Sequence, residues 1–143
     1  MNTIYNIFLK EIVTQDINLI ADNLKVALFP DTYAPDSENH EYWNQIAGDQ
    51  VTGDGYVSGG VALEGKELIR QDAQNNVKFI GDDISWPNST IDARFAVIYK
   101  DTEDPTTSPL ILALDFGETK SSVNGTFTIQ WSQDGLFTLS QAV

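Results

Sequence analysis

The strongest hydrophobic pattern in the chain spans residues 91–117 and reads as a β-hairpin with a polar tip. Over residues 91–100 the odd positions (Ile91, Ala93, Phe95, Val97, Tyr99) are all apolar, while the even ones are Asp92, Arg94, Ala96, Ile98 and Lys100. Strand side chains alternate faces, so this arm is expected to have one fully apolar face and one apolar only mid-strand. Residues 110–114 (Leu-Ile-Leu-Ala-Leu) are apolar on both faces, as a central strand would be. Between the arms, residues 101–109 contain no apolar side chain except two prolines.

The remaining elements are shorter. Ile4, Tyr5, Phe8, Leu9 and Ile12 recur at helical spacing, predicting an amphipathic helix within residues 1–15, capped by Asn2 or Thr3. Residues 16–22 fit either another helical turn or a lead-in strand. Residues 24–29 read as a strand stopped by Pro30, residues 31–39 as a loop, and residues 40–47 as a short helix ended by Gly48. Gly53, Gly55, Gly59 and Gly60 suggest a bending segment where backbones approach closely.

Residues 61–63 and 66–70 read as one interrupted strand, 72–76 as a turn, 77–80 as a strand, and 84–86 as a strand closed by Pro87. After the hairpin comes a polar run, 118–125, then a clean alternation that turns Phe127, Ile129 and Trp131 inward. Asp134-Gly135 signals a hairpin turn, with 136–139 as the returning strand. The expected fold is mainly β. It would be a sandwich or barrel-like single domain, 1–143, with a short N-terminal helix, one further short helix and a β-rich body over 24–139.

Charge narrows the function. With 21 acidic and 8 basic residues the formal charge is −13. This argues against nucleic acid, whose binders need a cationic face, and against anionic membranes. The surplus reads first as solubility through self-repulsion, and second as a match to a cationic partner or bound cations. The absence of cysteine excludes disulfides and thiolate zinc sites. Residues 1–8 lack the basic leader of a secretory signal, and no run approaches the ~18 apolar residues of a membrane span.

Motifs that resemble chemistry have plainer explanations. Asp115-Phe116-Gly117 spells a kinase tripeptide, but the chain is too short for the other kinase signatures. The third glycine of Gly53-x-Gly55-x-x-x-Gly59 comes one position late for a phosphate loop, and no helix follows. His40 is the only histidine and reads as a surface residue. The acidic groups Asp82/Asp83, Asp101/Glu103/Asp104 and Asp134 lack a calcium-loop pattern. The sequons at Asn88 and Asn124 read as accidental, each asparagine suiting a turn. No catalytic, metal or cofactor motif emerges. The aromatics are more informative: Phe95, Phe127, Trp131 and Phe137 are core candidates. Tyr33, Tyr42, Trp43 and Tyr56 lie in polar or glycine-rich surroundings and, with Tyr5 and Phe8 of the N-terminal segment, are the candidate interface residues.

Several blocks carry a resemblance. They are residues 24–28 (LKVAL), 40–43 (HEYW), 51–56 (VTGDGY) with 59–61 (GGV), 86–91 (WPNSTI), 93–99 (ARFAVIY), 114–117 (LDFG) and 124–131 (NGTFTIQW). In order and over nearly the whole chain, they resemble a family of small virion structural proteins of tailed bacteriophages. The resemblance implies a non-enzymatic capsid decoration, or cement, protein, a role commonly filled by β-rich trimers. It further implies binding to the major capsid protein and to itself, a place on the capsid surface, synthesis in the host cytoplasm, and no cofactor. A neck, tail or head-fibre component, or a virion carbohydrate-binding module using Tyr42, Trp43 and Tyr56, are the alternatives.

Overall fold

Two long strands set the architecture. In the computed structural model, which describes residues 1–141, β6 (Ile84–Lys100) and β7 (Leu110–Ile129) form a single antiparallel hairpin. β2 (Leu24–Phe29) joins β6, and two-residue strands close the flanks: β1 (Thr3–Ile4) on β7 and β3 (Val61–Ala62) on β2. The sheet order is β1-β7-β6-β2-β3. A second antiparallel sheet has the order β4-β5-β8, from β4 (Glu67–Gln71), β5 (Asn76–Ile80) and β8 (Phe137–Ser140). One helix, α1 (Asn6–Val13), completes a mainly β fold with a short helix, as the pattern predicts.

Both faces of the larger sheet are covered. From β2, Leu24, Val26 and Leu28 enter one cluster, which also holds Phe8 of α1, Phe79 of β5, Trp86 and Phe127. Ala27 and Phe29 enter a second cluster with Tyr5, Tyr33, Trp43 and Ile46. That double coverage explains why residues 110–114 are apolar on both faces. Each fully buried large aliphatic or aromatic side chain contributes about 1.5–3 kcal/mol.

Four expectations are corrected, each by a long-range contact. First, the odd positions of 91–99 do not share a face. Ile91 and Ala93 lie in the first cluster, whereas Phe95, Val97 and Tyr99 lie in the second. The register breaks between them: Ala93 faces Lys120 but Phe95 faces Asp115, so β7 spends five residues where β6 spends two. Second, Pro87 does not end its strand. β6 passes through it at a register break, with Asn88 left-handed (φ 50°), which spares proline a ladder bond. Third, the polar run 118–125 is part of β7, paired with β6, and buried Ser122 hydrogen-bonds Ser89 at 2.8 Å. Fourth, β8 does not return along β7; it pairs with β5.

Smaller elements shift as well. The helix starts only at Asn6, with Tyr5 in the capping position and no side-chain cap, because Thr3 and Ile4 are committed to β1. Residues 40–47 form no α-helix but two 3₁₀ turns, Trp43–Gln45 and Ala47–Asp49. Residues 61–63 and 66–70 belong to different sheets. Residues 16–22 form turns, anchored by buried Ile17 and Leu19.

The glycine segment is packed as expected. At Gly60 (φ 79°) a Cβ would overlap the backbone carbonyl of Val26, and at Gly55 (φ 81°) it would overlap Asn88 and Ser89. Gly60→Ala is therefore expected to cost about 2 kcal/mol or more, since neither left-handed strain nor a β2 carbonyl can yield cheaply. Gly48→Ala, with nothing within 4 Å, should change stability by less than about 0.5 kcal/mol. Urea unfolding of both variants checks this; equal losses would contradict the docking of the loop on β2.

Candidate functional site

Four of the six candidate interface aromatics are committed to the protein's own core. Tyr5, Phe8, Tyr33 and Trp43 are all buried. Tyr5 is delivered there by β1: its N–H donates to the Ile111 carbonyl (3.2 Å), and the next N–H, from Asn6, donates to Ser37 (2.9 Å). The N-terminal segment thus closes the chain's own sheet. The Tyr5 and Tyr33 hydroxyls hydrogen-bond at 2.7 Å, and burial raises the Tyr5 phenol far above its ordinary range. Burial likewise pushes Tyr33 up to about 12. Phe8 packs edge-on against Phe137, ring centroids 5.6 Å apart.

Trp43 stacks flat on Tyr99 at 4.1 Å and meets Phe29 edge-on at 6.0 Å. Its own N–H donates to the Ser108 carbonyl, so the segment around it is fastened to the hairpin tip. The polar surroundings of Trp43 in sequence are the surface of a ledge, and its ring points the other way.

Tyr42 and Tyr56 are half-buried. Tyr56 is held at both sides of its hydroxyl: it accepts from the Leu28 N–H (3.2 Å) and donates to Gln50 Oε1 (2.7 Å). Burial pushes its phenol up to about 12, against the Leu28 bond. Tyr42 borders a surface hollow with Glu11, Asp16, Lys100 and Thr107. There Thr14 Oγ1 donates to Asp16 (2.7 Å) and lowers its pKa, while burial and contact with Asp16 raise that of Glu11. Lys100 donates to the Asp16 carbonyl and pairs with Asp22 at 3.2 Å. The structure therefore does not bring the six aromatics together as a patch.

The other motifs also find internal partners. Asp36 donates its N–H to His40 Nδ1 (3.3 Å), which makes that nitrogen an acceptor, and the imidazole stacks on Tyr33. Asp115 accepts from Arg94 Nε at 3.0 Å, from the Met1 amine at 2.6 Å and from the Gly117 N–H at 2.8 Å. The Arg94 bond, the amine and the Gly117 bond hold the Asp115 carboxyl well below the usual carboxylate range. Asp101 is paired with Lys25 (2.9 Å) and accepts from the Glu103 N–H. Asn88 and Asn124 of the sequons are both left-handed, flanking the Ser89–Gly125 pair where β6 and β7 break register. Among the described residues no group of three or more His, Asp or Glu side chains is arranged to hold a metal ion.

Of what remains outward, only Leu9 was singled out from sequence, and there as part of the apolar stripe of the N-terminal helix. Leu68 and Ile69 on β4, Val123 on β7, and Leu9 and Val13 on α1 are exposed. One signal was present for β4: adjacent apolar residues on a strand face opposite sides, so a single core cannot take both Leu68 and Ile69.

Trp43→Ala is expected to cost about 3–5 kcal/mol of unfolding free energy, as for other buried tryptophans, whereas Tyr42→Ala should cost far less. A Trp43→Ala protein of unchanged stability would return Trp43 to the surface candidates. For Asp115 the folded pKa lies below the unfolded value of about 3.9, so its pairing stabilises the fold above that pH and is lost as pH falls through the folded pKa. Asp115→Asn should therefore lower the melting temperature at pH 7 and reduce its fall between pH ~5 and ~2. Thermal melts across that window test it, and parallel curves would refute it.

In comparisons with known proteins, no family model, curated sequence or solved structure matches this chain.

Proposed function

We propose that this protein is a non-enzymatic structural component of a tailed-phage virion, a decoration protein that binds the major capsid protein and stabilises the head. The observation that carries the reading is where the resembling blocks fall. Residues 24–28 lie in β2, 86–91 and 93–99 in β6, and 114–117 and most of 124–131 in β7. The glycine block packs against Val26, Asn88 and Ser89 of these strands. Most of the resembling residues thus lie in the framework sheet, while residues 40–43 and the glycine block lie in connecting segments packed against it; a framework is what a cement protein supplies. Such a role needs a rigid fold without thiols and a broad surface, and it needs no chemical site. A charge of −13 suits contact with a cationic shell lattice, where weak contacts repeated by symmetry add up.

The carbohydrate-binding alternative draws little from the geometry, since Trp43 presents its flat face to Tyr99 and not to solvent. The neck, tail or fibre alternative differs from the decoration reading in copy number.

Quantitative mass spectrometry of purified virions against the major capsid protein is expected to give a ratio near one or a simple fraction of it. Heads lacking the protein should gain thermal stability when it is added back. A handful of copies per particle would overturn the decoration reading in favour of a neck, tail or fibre position. Absence from virions would overturn the virion reading altogether.

A further inference from the structure

The far end of the long hairpin carries a reactive backbone position that the fold leaves open. An asparagine followed by glycine can close on itself, the glycine backbone nitrogen attacking the asparagine Cγ, because glycine has no side chain to shield that nitrogen. Asn124-Gly125 is the only such pair in the chain. Ring closure in a folded protein also needs the peptide between the two residues to turn toward the side chain, which a regular strand ladder resists.

Here the ladder is interrupted on both sides. Ser89–Gly125 is an isolated paired position between two register shifts, one toward Trp86 and one toward Ile91. Opposite Thr90, β7 spends two residues, Val123 and Asn124, where β6 spends one. Asn124 is left-handed there (φ 47°), and its N–H donates to the Thr90 side chain at 3.1 Å and not to a ladder carbonyl. The Thr90 N–H is itself drawn away to the Asp54 carbonyl (2.9 Å). Val123 and Asn124 are both exposed, and among the described residues the Asn124 side-chain amide has no hydrogen-bond partner. Other asparagines differ. Asn18 and Asn39 spend their side chains within their own turns, on the Ile20 and Ala21 N–H groups and on the Asp36 carboxylate. Asn88 is left-handed and exposed like Asn124, but the residue after it, Ser89, is fully buried.

We propose that Asn124 is a site of spontaneous deamidation in the folded protein, a modification that marks the age of each copy. The Gly125 nitrogen loses its proton to solvent base and bonds to Asn124 Cγ. The Cγ–Nδ2 bond breaks, ammonia leaves, and a succinimide ring is formed. Water then adds to either ring carbonyl, giving aspartate on one side and isoaspartate, whose backbone runs through Cγ, on the other. Both products add a negative charge to a chain already at −13. Isoaspartate also lengthens the backbone inside the bulge, next to the buried Ser89–Ser122 hydrogen bond of 2.8 Å. The inference concerns the chain by itself and does not rest on the virion reading.

The test holds the full-length protein in warm, mildly alkaline buffer and follows each asparagine by peptide mass spectrometry. Asn124 is expected to convert at least about tenfold faster than Asn88, whose successor has a side chain. Gly125→Ala is the control: a Cβ at Gly125 would meet nothing nearer than the Val123 carbonyl at 3.6 Å, so the variant should fold as the wild type does. Its added methyl shields the nitrogen and should slow conversion about tenfold or more. A third comparison, with the chain unfolded in guanidinium chloride, separates the part of the fold from that of the sequence. The native rate should lie within about tenfold of the unfolded rate, since opening one isolated pair costs little. Greater native protection, conversion at Asn124 no faster than at Asn88, or a Gly125→Ala protein that converts as fast as the wild type would each overturn the inference.

Discussion

The break in register between Ala93 and Phe95 is the constraint on which the rest of this structure depends. A strand with apolar residues at every odd position serves only one core while its pleat is regular, because its side-chain period is two. Here β7 inserts Phe116 to Thr119 opposite Arg94, and the buried side chains of β6 change sides. Arg94, left at the break, reaches Asp115 on the adjacent strand. One hairpin thereby supplies two cores: one beneath α1 and the smaller sheet, the other beneath the 33–46 segment. A second, smaller break, where Tyr99 faces Leu110 one residue early, leaves the Ile111 carbonyl to receive Tyr5.

Two cores consume the aromatic inventory. Tyr33, Trp43 and Tyr5 cover the second face of the sheet because Phe29, Phe95 and Tyr99 need covering there. What this leaves outward is backbone at open edges, scattered apolar side chains such as Val13 and Val123, and an acidic surface. The net charge of −13 repels other copies over long range in dilute, low-salt solution, and that repulsion is screened over about 8 Å at physiological salt.

Legibility followed the range of the interactions. β2 is read from sequence at its observed bounds, since a short, almost continuous apolar run stopped by Pro30 needs no information from elsewhere. The glycine segment was legible for a similar reason: four glycines in eight residues signal close backbone approach whatever the neighbour is. Pro87 was misread, and the 118–125 run left without an element, because local rules treat proline and polar residues as breakers. Each is tolerated by the other: the register break absorbs the proline, and Ser89 and Ser122 satisfy each other in the covered space between.

The sequence by itself determined the mainly β class, the central hairpin, the tight glycine loop and the exclusion of thiol chemistry, all of which rest on local periodicity, backbone preference or composition. The tertiary structure alone decided that β8 joins β5, that residues 61–70 divide between two sheets, and that Tyr5, Phe8, Tyr33 and Trp43 turn inward. Tyr5 and Tyr33 meet across 28 positions of chain, and Trp43 meets Tyr99 across a sheet face. An aromatic residue in a polar loop is the same in sequence whether its ring faces solvent or a partner far along the chain. Only the fold, by placing an uncovered sheet face beneath it, settles which.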